Sequence, residues 1–181
     1  MRVITGAARG VPMATLPGDD VRPTSQRVKE AIFSAIQFEI TGRRVLDAFA
    51  GSGQLGIEAL SRGAESCLFL EIDSKALDIA KQNVARAKFL DKARLMQVDA
   101  VQFMRRTAEE FGLIFLDPPY GRQLLQTAIP IAVERLGEGG MIVCEALMQE
   151  SLPEQCDDVL LHKTYRHGKT KICVYRKLIE N

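Results

Sequence analysis

The sequence predicts an α/β protein built on a parallel sheet, closing in an antiparallel hairpin and preceded by a small N-terminal appendage. Three observations carry this. From Arg44 onward, short apolar runs alternate with amphipathic stretches of helical length, the pattern of repeated βα units. A glycine-rich stretch follows the first of these runs, where a strand should turn into a helix. Near the end of the chain two apolar runs flank a single turn with no helix between them.

The parallel strands are expected at Val45-Leu46, Cys67–Leu70, Leu95–Val98, Leu113–Leu116 and Met141–Cys144. Helices are expected between them. Residues 54–62 follow the glycine turn, 74–88 start after Asp73-Ser74 as a cap, 100–110 follow Asp99, and 122–136 precede a turn at Gly137-Glu138-Gly139-Gly140. Val159-Leu160-Leu161 and Ile172–Tyr175, either side of Arg166-His167-Gly168-Lys169, add a hairpin and bring the sheet to seven strands. Before Arg44 the reading is a short strand at 2–5, turns at Gly10 and Pro17-Gly18, then a helix capped by Thr24-Ser25 with Val28, Ile32, Phe33 and Ile36 on its apolar face. Two units follow: an appendage over 1–40 and the main domain over 41–181.

Composition sets the outer limits. A chain of 181 residues with 46% hydrophobic and 26% charged residues can bury its own core, which disfavours disorder, collagen-like repeats and a disulfide-stapled miniature. Cys67, Cys144, Cys156 and Cys173 form no C-x-x-C pair and three lie in apolar runs, so they are expected as reduced thiols of a cytosolic protein rather than zinc ligands. The start of the chain lacks a signal-peptide pattern, and no run approaches the ~20 apolar residues that span a bilayer. A net charge of +1 would not by itself suggest a polyanionic partner. Its distribution does, because 162–177 hold six Lys/Arg and no Asp/Glu, and 1–44 hold seven Lys/Arg against four Asp/Glu. Two solvated faces would account for the same clustering.

The loop Asp47-Ala48-Phe49-Ala50-Gly51-Ser52-Gly53-Gln54-Leu55-Gly56 spells G-x-G-x-x-G. That spacing also serves a turn needed only for close helix–strand packing. Glu71 and Asp73 end the next strand about 20 residues on, where a carboxylate can bind ribose hydroxyls, so a nucleoside ligand is expected. Asp47 then narrows the choice. A carboxylate at the strand end repels a pyrophosphate but suits a ligand with an ammonium and a sulfonium, which is S-adenosylmethionine. Glu71 is expected at its ribose and Asp99 near its adenine, since both end strands at the carboxyl edge.

The fourth strand runs into Asp117-Pro118-Pro119-Tyr120. A rigid structural turn explains two prolines. Chemistry explains the whole motif. An exocyclic amino group is a poor nucleophile because its lone pair is delocalised into the base. Asp117 and the Pro118 carbonyl supply two acceptors that orient its N–H bonds, and Tyr120 can stack on the base.

Asp47-x-x-x-Gly51-x-Gly53 with Asp117-Pro118-Pro119-Tyr120 resembles the class I S-adenosylmethionine-dependent amino methyltransferases. Thr5-Gly6, Arg22-Pro23-Thr24-Ser25-x-Arg27-Val28-x-Glu30-Ala31-Ile32-Phe33 and the run from Asp47 through Glu58-Ala59-Leu60-Ser61-Arg62-Gly63 extend the likeness across essentially the whole chain. They resemble the RsmD-type family, bacterial guanine-N2 methyltransferases of small-subunit (16S) ribosomal RNA. The resemblance implies a Rossmann-like, mostly parallel seven-stranded sheet and S-adenosyl-L-methionine as cofactor. It implies cofactor contacts at Asp47, Phe49, Gly51, Gly53, Glu71, Asp73, Asp99 and Ala100, and catalysis at Asp117, Pro118 and Tyr120. It also implies RNA contacts at Arg22, Thr24 and Arg27, a cytoplasmic enzyme acting on 16S rRNA within the small subunit, and neither metal nor membrane. Ala7–Met13 depart from the family in carrying fewer basic residues, which implies a lighter RNA grip there.

Two rival readings stand beside this one. An adenine-N6 methyltransferase on RNA or DNA could use the same acceptor pair, although this chain has no sizeable target-recognition domain for DNA. An inactive assembly factor could keep the fold, but the Asp117–Tyr120 motif is intact.

Overall fold

The computed structural model describes residues 1–16, 26–120 and 123–178. Its elements run α1 (Gln26–Ala35), β1 (Arg44–Asp47), α2 (Gln54–Ser61), β2 (Ser66–Glu71), α3 (Ser74–Arg86), β3 (Ala93–Gln97), α4 (Ala100–Arg106), β4 (Phe111–Leu116), α5 (Leu124–Val133), β5 (Leu136–Leu147), β6 (Gln155–Cys156), β7 (Val159–His167) and β8 (Thr170–Lys177). The sheet order is β3-β2-β1-β4-β5-β8-β7-β6. The first five strands are parallel, and β8 enters antiparallel between β5 and β7.

Alternation along the central strands divides the core in two, because successive side chains leave opposite faces of a sheet. Val45, Phe69, Leu113, Phe115, Met141 and Val143 face one way, under Val28, Ile32 and Phe33 of α1 and Leu55 and Leu60 of α2. Leu46, Leu68, Leu70, Ile114, Leu116 and Ile142 face the other, under Met104 of α4 and Leu125, Ala128 and Ile129 of α5. Both faces are covered, which is why these strands read as continuous apolar runs. Phe33 and Phe115 meet across the first layer with ring centroids 5.6 Å apart and planes tilted by 57°. The four cysteines are free; Cys67, Cys144 and Cys173 are buried and Cys156 is partly so.

Four expectations need correction. The strand at 2–5 is instead a single antiparallel bridge between Arg2 and Pro12, because residues 1–13 fold back on themselves through Val3 N to Val11 O and Met13 N to Met1 O. The Gly137–Gly140 stretch lies inside β5, not in a turn. There the chain stays paired across a register shift between Phe111 and Leu113, and Arg43 Nη1 donates to Gly112 O and Gly139 O at 2.7 and 3.0 Å. The helix expected to 110 stops at Arg106 as Thr107 turns extended. An eighth strand, β6, adds two residues to the seven anticipated, pairing Gln155 with Leu160 and Cys156 with Val159. The turn at Pro17-Gly18 and the Thr24-Ser25 cap lie outside the described residues.

The N-terminal segment is tied to α2 through buried polar contacts. Ile4 N and Thr5 N donate to Glu58 at 2.8 and 3.0 Å, and Ala7 N and Ala8 N donate to Ser61 O and Oγ at 2.8 and 3.0 Å. Gly6 sits at φ +90° against this helix, and a Cβ there would lie 1.8 Å from Ser61 O. Only glycine fits. Lys29, fully buried on α1, lies 3.4 Å from Glu58 and donates to Arg2 O at 2.9 Å, while Arg62 Nε reaches Glu58 at 2.9 Å.

Candidate active site

The strand order reverses between β1 and β4, and their carboxyl ends open the crevice where ligands bind in such sheets. Asp47 is the last residue of β1 and pairs with Phe115, so Asp117 comes up beside the start of the glycine loop. Ala48 N donates to Phe115 O at 3.1 Å and Ala50 N to Leu70 O at 2.9 Å, which pins that loop between β4 and β2.

Asp47 is turned into the fold. It is 1% exposed, and Oδ2 accepts from Gly56 N in the first turn of α2 at 2.9 Å. Burial pushes this carboxyl up to about 7 from an ordinary 3.8; the Gly56 hydrogen bond opposes the rise and the charges of Asp117 and Glu71 reinforce it. Gly56 itself has no room for a side chain, since a Cβ would lie 2.3 Å from the Phe69 ring. Gly51 and Gly53 take φ of +54° and +84°, and above Gly51 a Cβ would meet nothing within 4 Å.

Both oxygens of Glu71 hold backbone amides: Gly51 N at 2.8 Å and Asp73 N at 2.9 Å. The acidic strand end therefore shapes the glycine loop directly. Asp73 caps α3, accepting from Lys75 N and Ala76 N at 2.7 and 3.1 Å, and Asp99 caps α4, accepting from Gln102 N at 2.8 Å. Ala100 is buried behind that cap and Phe49 is half-buried against the second core layer. Asp117 is half-buried, Pro118 buried and Pro119 exposed. Tyr120 donates its hydroxyl to Glu145 Oε1 at 2.6 Å.

The structure thus gathers Asp47, Phe49, Gly51, Gly53, Glu71, Asp73, Asp99, Ala100, Asp117, Pro118 and Tyr120 along one sheet edge. Arg27 is exposed on α1, whereas Arg22 and Thr24 lie outside the described residues. Three further residues were missed from sequence. Glu145, 4% exposed on β5, anchors Tyr120; its signal was a lone carboxylate inside the apolar run Met141–Leu147. Ile72 is 65% exposed between Glu71 and Asp73, an apolar surface beside both carboxylates. Asn83, fully buried on α3, carried no signal because its partners are backbone atoms distant in sequence. A separate cavity of about 330 Å³ opens at the amino ends of the strands, lined by Arg44, Asp91, Arg94 and Glu109 among others, away from all of these groups.

The family model described as conserved hypothetical protein 95 matches residues 1–176. Ribosomal RNA small subunit methyltransferase D of Escherichia coli (strain K12) is 32% identical over 181 residues, covering 98% of this chain and 90% of that protein. The chain belongs to the RsmD family. YlbH of Bacillus subtilis (strain 168), 39% identical, covers 98% of this chain and 99% of its own length. Among solved structures, yhhF from Escherichia coli superposes with a TM-score of 0.88 at 30% identity, covering 99% of both chains. A Salinibacter ruber RNA methyltransferase in complex with S-adenosyl-L-homocysteine shares the fold, at a TM-score of 0.69 and 18% identity over 88% of this chain and 96% of that one.

As an RsmD-family member the chain is an S-adenosylmethionine-dependent methyltransferase of class I fold. Its residues fit that cofactor: open space above Gly51, two left-handed glycines, Glu71 closing β2 and Asp99 two residues beyond β3. Among the described residues, no group of three His, Cys, Asp or Glu is placed to hold a metal ion, and no helix is long and apolar enough to cross a membrane.

Proposed function

We propose that this methyltransferase modifies the exocyclic N2 of one guanine in small-subunit (16S) ribosomal RNA, in the cytoplasm and within the assembling or assembled subunit. The observation that carries the reading is the Asp117–Tyr120 turn at the end of β4, next to the glycine loop that ends β1, with Tyr120 held by the buried Glu145. The RsmD-family relative from Escherichia coli bears the name of a small-subunit rRNA methyltransferase, which supports the substrate.

In this reading Gly51, Gly53 and Phe49 hold the methionine end of the cofactor, while Asp47, expected from sequence to meet its ammonium group, is buried beneath them and fixes the start of α2 through Gly56 N. Glu71 and Asp73 hold the cofactor's ribose, and Asp99 and Ala100 its adenine. When bound, S-adenosylmethionine supplies an electrophilic methyl on a sulfonium. Asp117 and the Pro118 carbonyl accept the two N–H bonds of the guanine amino group, aiming the nitrogen lone pair at that methyl. Tyr120 stacks on the flipped base, its ring fixed by the hydroxyl bond to Glu145. As the N–C bond forms and the C–S bond breaks, positive charge grows on nitrogen; the Asp117 carboxylate stabilises it and helps take the proton. Arg22, Thr24 and Arg27 grip RNA phosphates beside the site, and the basic β7–β8 hairpin contributes further positive charge.

The test is single-turnover methyl transfer from labelled cofactor to small-subunit rRNA, with the product nucleoside identified by mass spectrometry. Asp117→Ala should slow transfer about 100-fold or more at little cost in cofactor affinity. Transfer at the parent rate, or a methylated adenine in place of guanine, would overturn the assignment.

A further inference from the structure

Two side chains converge on Ser52, in the middle of the glycine loop, and a third reaches it through one of them. Asn83 Nδ2 donates to Ser52 O at 2.9 Å, and Gln54 Nε2 reaches Ser52 Oγ at 3.4 Å. Lys29 Nζ in turn donates to Gln54 Oε1 at 3.3 Å. Asn83 is fully buried and spends the rest of its amide on one residue of the N-terminal segment: Ala14 N donates to its Oδ1 at 2.8 Å and its Nδ2 donates to Ala14 O at 2.9 Å. One side chain thus clasps Ala14 as a neighbouring strand would and holds the glycine loop with the same amide. A second turn of α3 supports the same segment, Arg86 Nη1 donating to Pro12 O at 3.2 Å.

Ala14 and α1 are the two ends from which the chain enters and leaves residues 17–25, the stretch that carries Arg22 and Thr24. Both ends are therefore linked to Ser52, Ala14 through Asn83 and α1 through Lys29 and Gln54. A buried amide making three hydrogen bonds has no slack. Displacing Ser52 O forces the Asn83 amide to rotate, and rotation breaks the pair of bonds to Ala14. Conversely, a ligand that immobilises the glycine loop immobilises Asn83 and with it the base of the N-terminal segment, so that a second ligand bound there loses less conformational freedom.

We propose that Asn83 is a positioning residue that couples the cofactor loop to the N-terminal segment, so that cofactor and RNA bind cooperatively. The coupling rests on the RNA reading given above for its second ligand but not for its first half, the link between loop and segment. By thermodynamic reciprocity each ligand must raise the other's affinity by the same factor, expected at about 5-fold or more.

Two measurements test this. Hydrogen–deuterium exchange of the wild-type chain with and without S-adenosylhomocysteine should show slowed exchange in residues 8–16 and at the start of α1, which reach Ser52 through Asn83 and through Lys29 and Gln54. In parallel, affinity for a small-subunit rRNA transcript is measured with and without S-adenosylhomocysteine, for wild type and for Asn83→Asp. The aspartate keeps the size of the side chain and the acceptor for Ala14 N but, when ionised, donates to neither Ser52 O nor Ala14 O, which severs the link between loop and segment. The wild type should bind RNA at least about 5-fold more tightly with the cofactor product present, and the variant should show a ratio near one with its affinity in the absence of cofactor changed by less than about 3-fold. A merely structural role would lower thermal stability and leave that ratio intact, and an intact ratio in the folded variant overturns the proposal. Unchanged exchange at 8–16 in the wild type also overturns it, whether or not the variant folds. If RNA binds in neither state the RNA reading falls, and the exchange result alone decides the link between loop and segment.

Discussion

Asp47 makes a sharp demand on the pH dependence of stability. Its carboxyl is fully buried and titrates at about 7 in the folded chain against an ordinary 3.8. Below 3.8 the group is protonated whether the chain is folded or not, and it contributes no slope. Between 3.8 and about 7 the unfolded chain releases the proton while the folded chain keeps it, so stability falls as pH rises through this window. At about 1.36 kcal/mol per pH unit the whole window is worth about 4 kcal/mol, of which about 3 kcal/mol falls between pH 5 and pH 8. Asp47→Asn removes the titration and retains an amide oxygen able to accept from Gly56 N. Urea unfolding of both proteins at pH 5, 6, 7 and 8 measures the difference directly. Other groups, such as Glu39, whose carboxyl is held below its ordinary range by its hydrogen bond to Arg176, cancel between the two proteins. The variant should gain on the wild type steadily from pH 5 to pH 7, and curves that stay parallel would refute both the burial argument and the assignment of the proton to Asp47.

Gly6→Ala should cost roughly 2–5 kcal/mol, since both its positive φ and a Cβ 1.8 Å from Ser61 O must be relieved by pulling the N-terminal segment off α2; thermal unfolding checks this. Lys29→Met leaves the Glu58 carboxylate in the core with only Arg62 and two backbone amides, at a cost of about 3–5 kcal/mol, and adding Glu58→Gln should recover part of it in a double-mutant cycle. Tyr120→Phe keeps the ring proposed to stack on the base but removes a hydrogen bond to the buried Glu145 side chain worth roughly 1.5–3 kcal/mol. Single-turnover transfer should slow while cofactor affinity holds, and an unchanged rate would mean that Glu145 does not position the ring. Gly56→Ala drives a methyl to 2.3 Å from Phe69 and should destabilise by about 1–3 kcal/mol without altering helix propensity for the worse, read by chemical unfolding.

The parallel half of the sheet was legible because burial on both faces turns each central strand into an apolar run, and because Asp73 and Asp99 mark helix starts by capping them. The two motifs were legible because a glycine loop and an Asp-Pro-Pro-Tyr turn combine residue types that few other roles require together. Glycine-rich composition does not mark a turn everywhere in this chain. Gly137–Gly140 suggest a turn by composition, yet the chain remains in β5 because Leu136 pairs with Phe111 and the irregularity is absorbed as a register shift. A stretch at 2–5 with strand-like residues became one bridge, since the amides of Ile4 and Thr5 go to the Glu58 carboxylate instead of a neighbouring strand.

By itself the sequence determined the alternation of strands and helices from β1 to β5, the glycine loop, the Asp-Pro-Pro-Tyr turn and the family to which they belong, because each rests on local chemistry or on spacing along the chain. Only the tertiary structure decided that Asp47 is buried against Gly56, that Glu71 holds the glycine loop, that Glu145 anchors Tyr120 and that Asn83 joins Ala14 to Ser52. Each of these pairs a side chain with a partner that folding brings close. Most of the partners are backbone atoms, which every residue possesses, so nothing in residue identity could point to them.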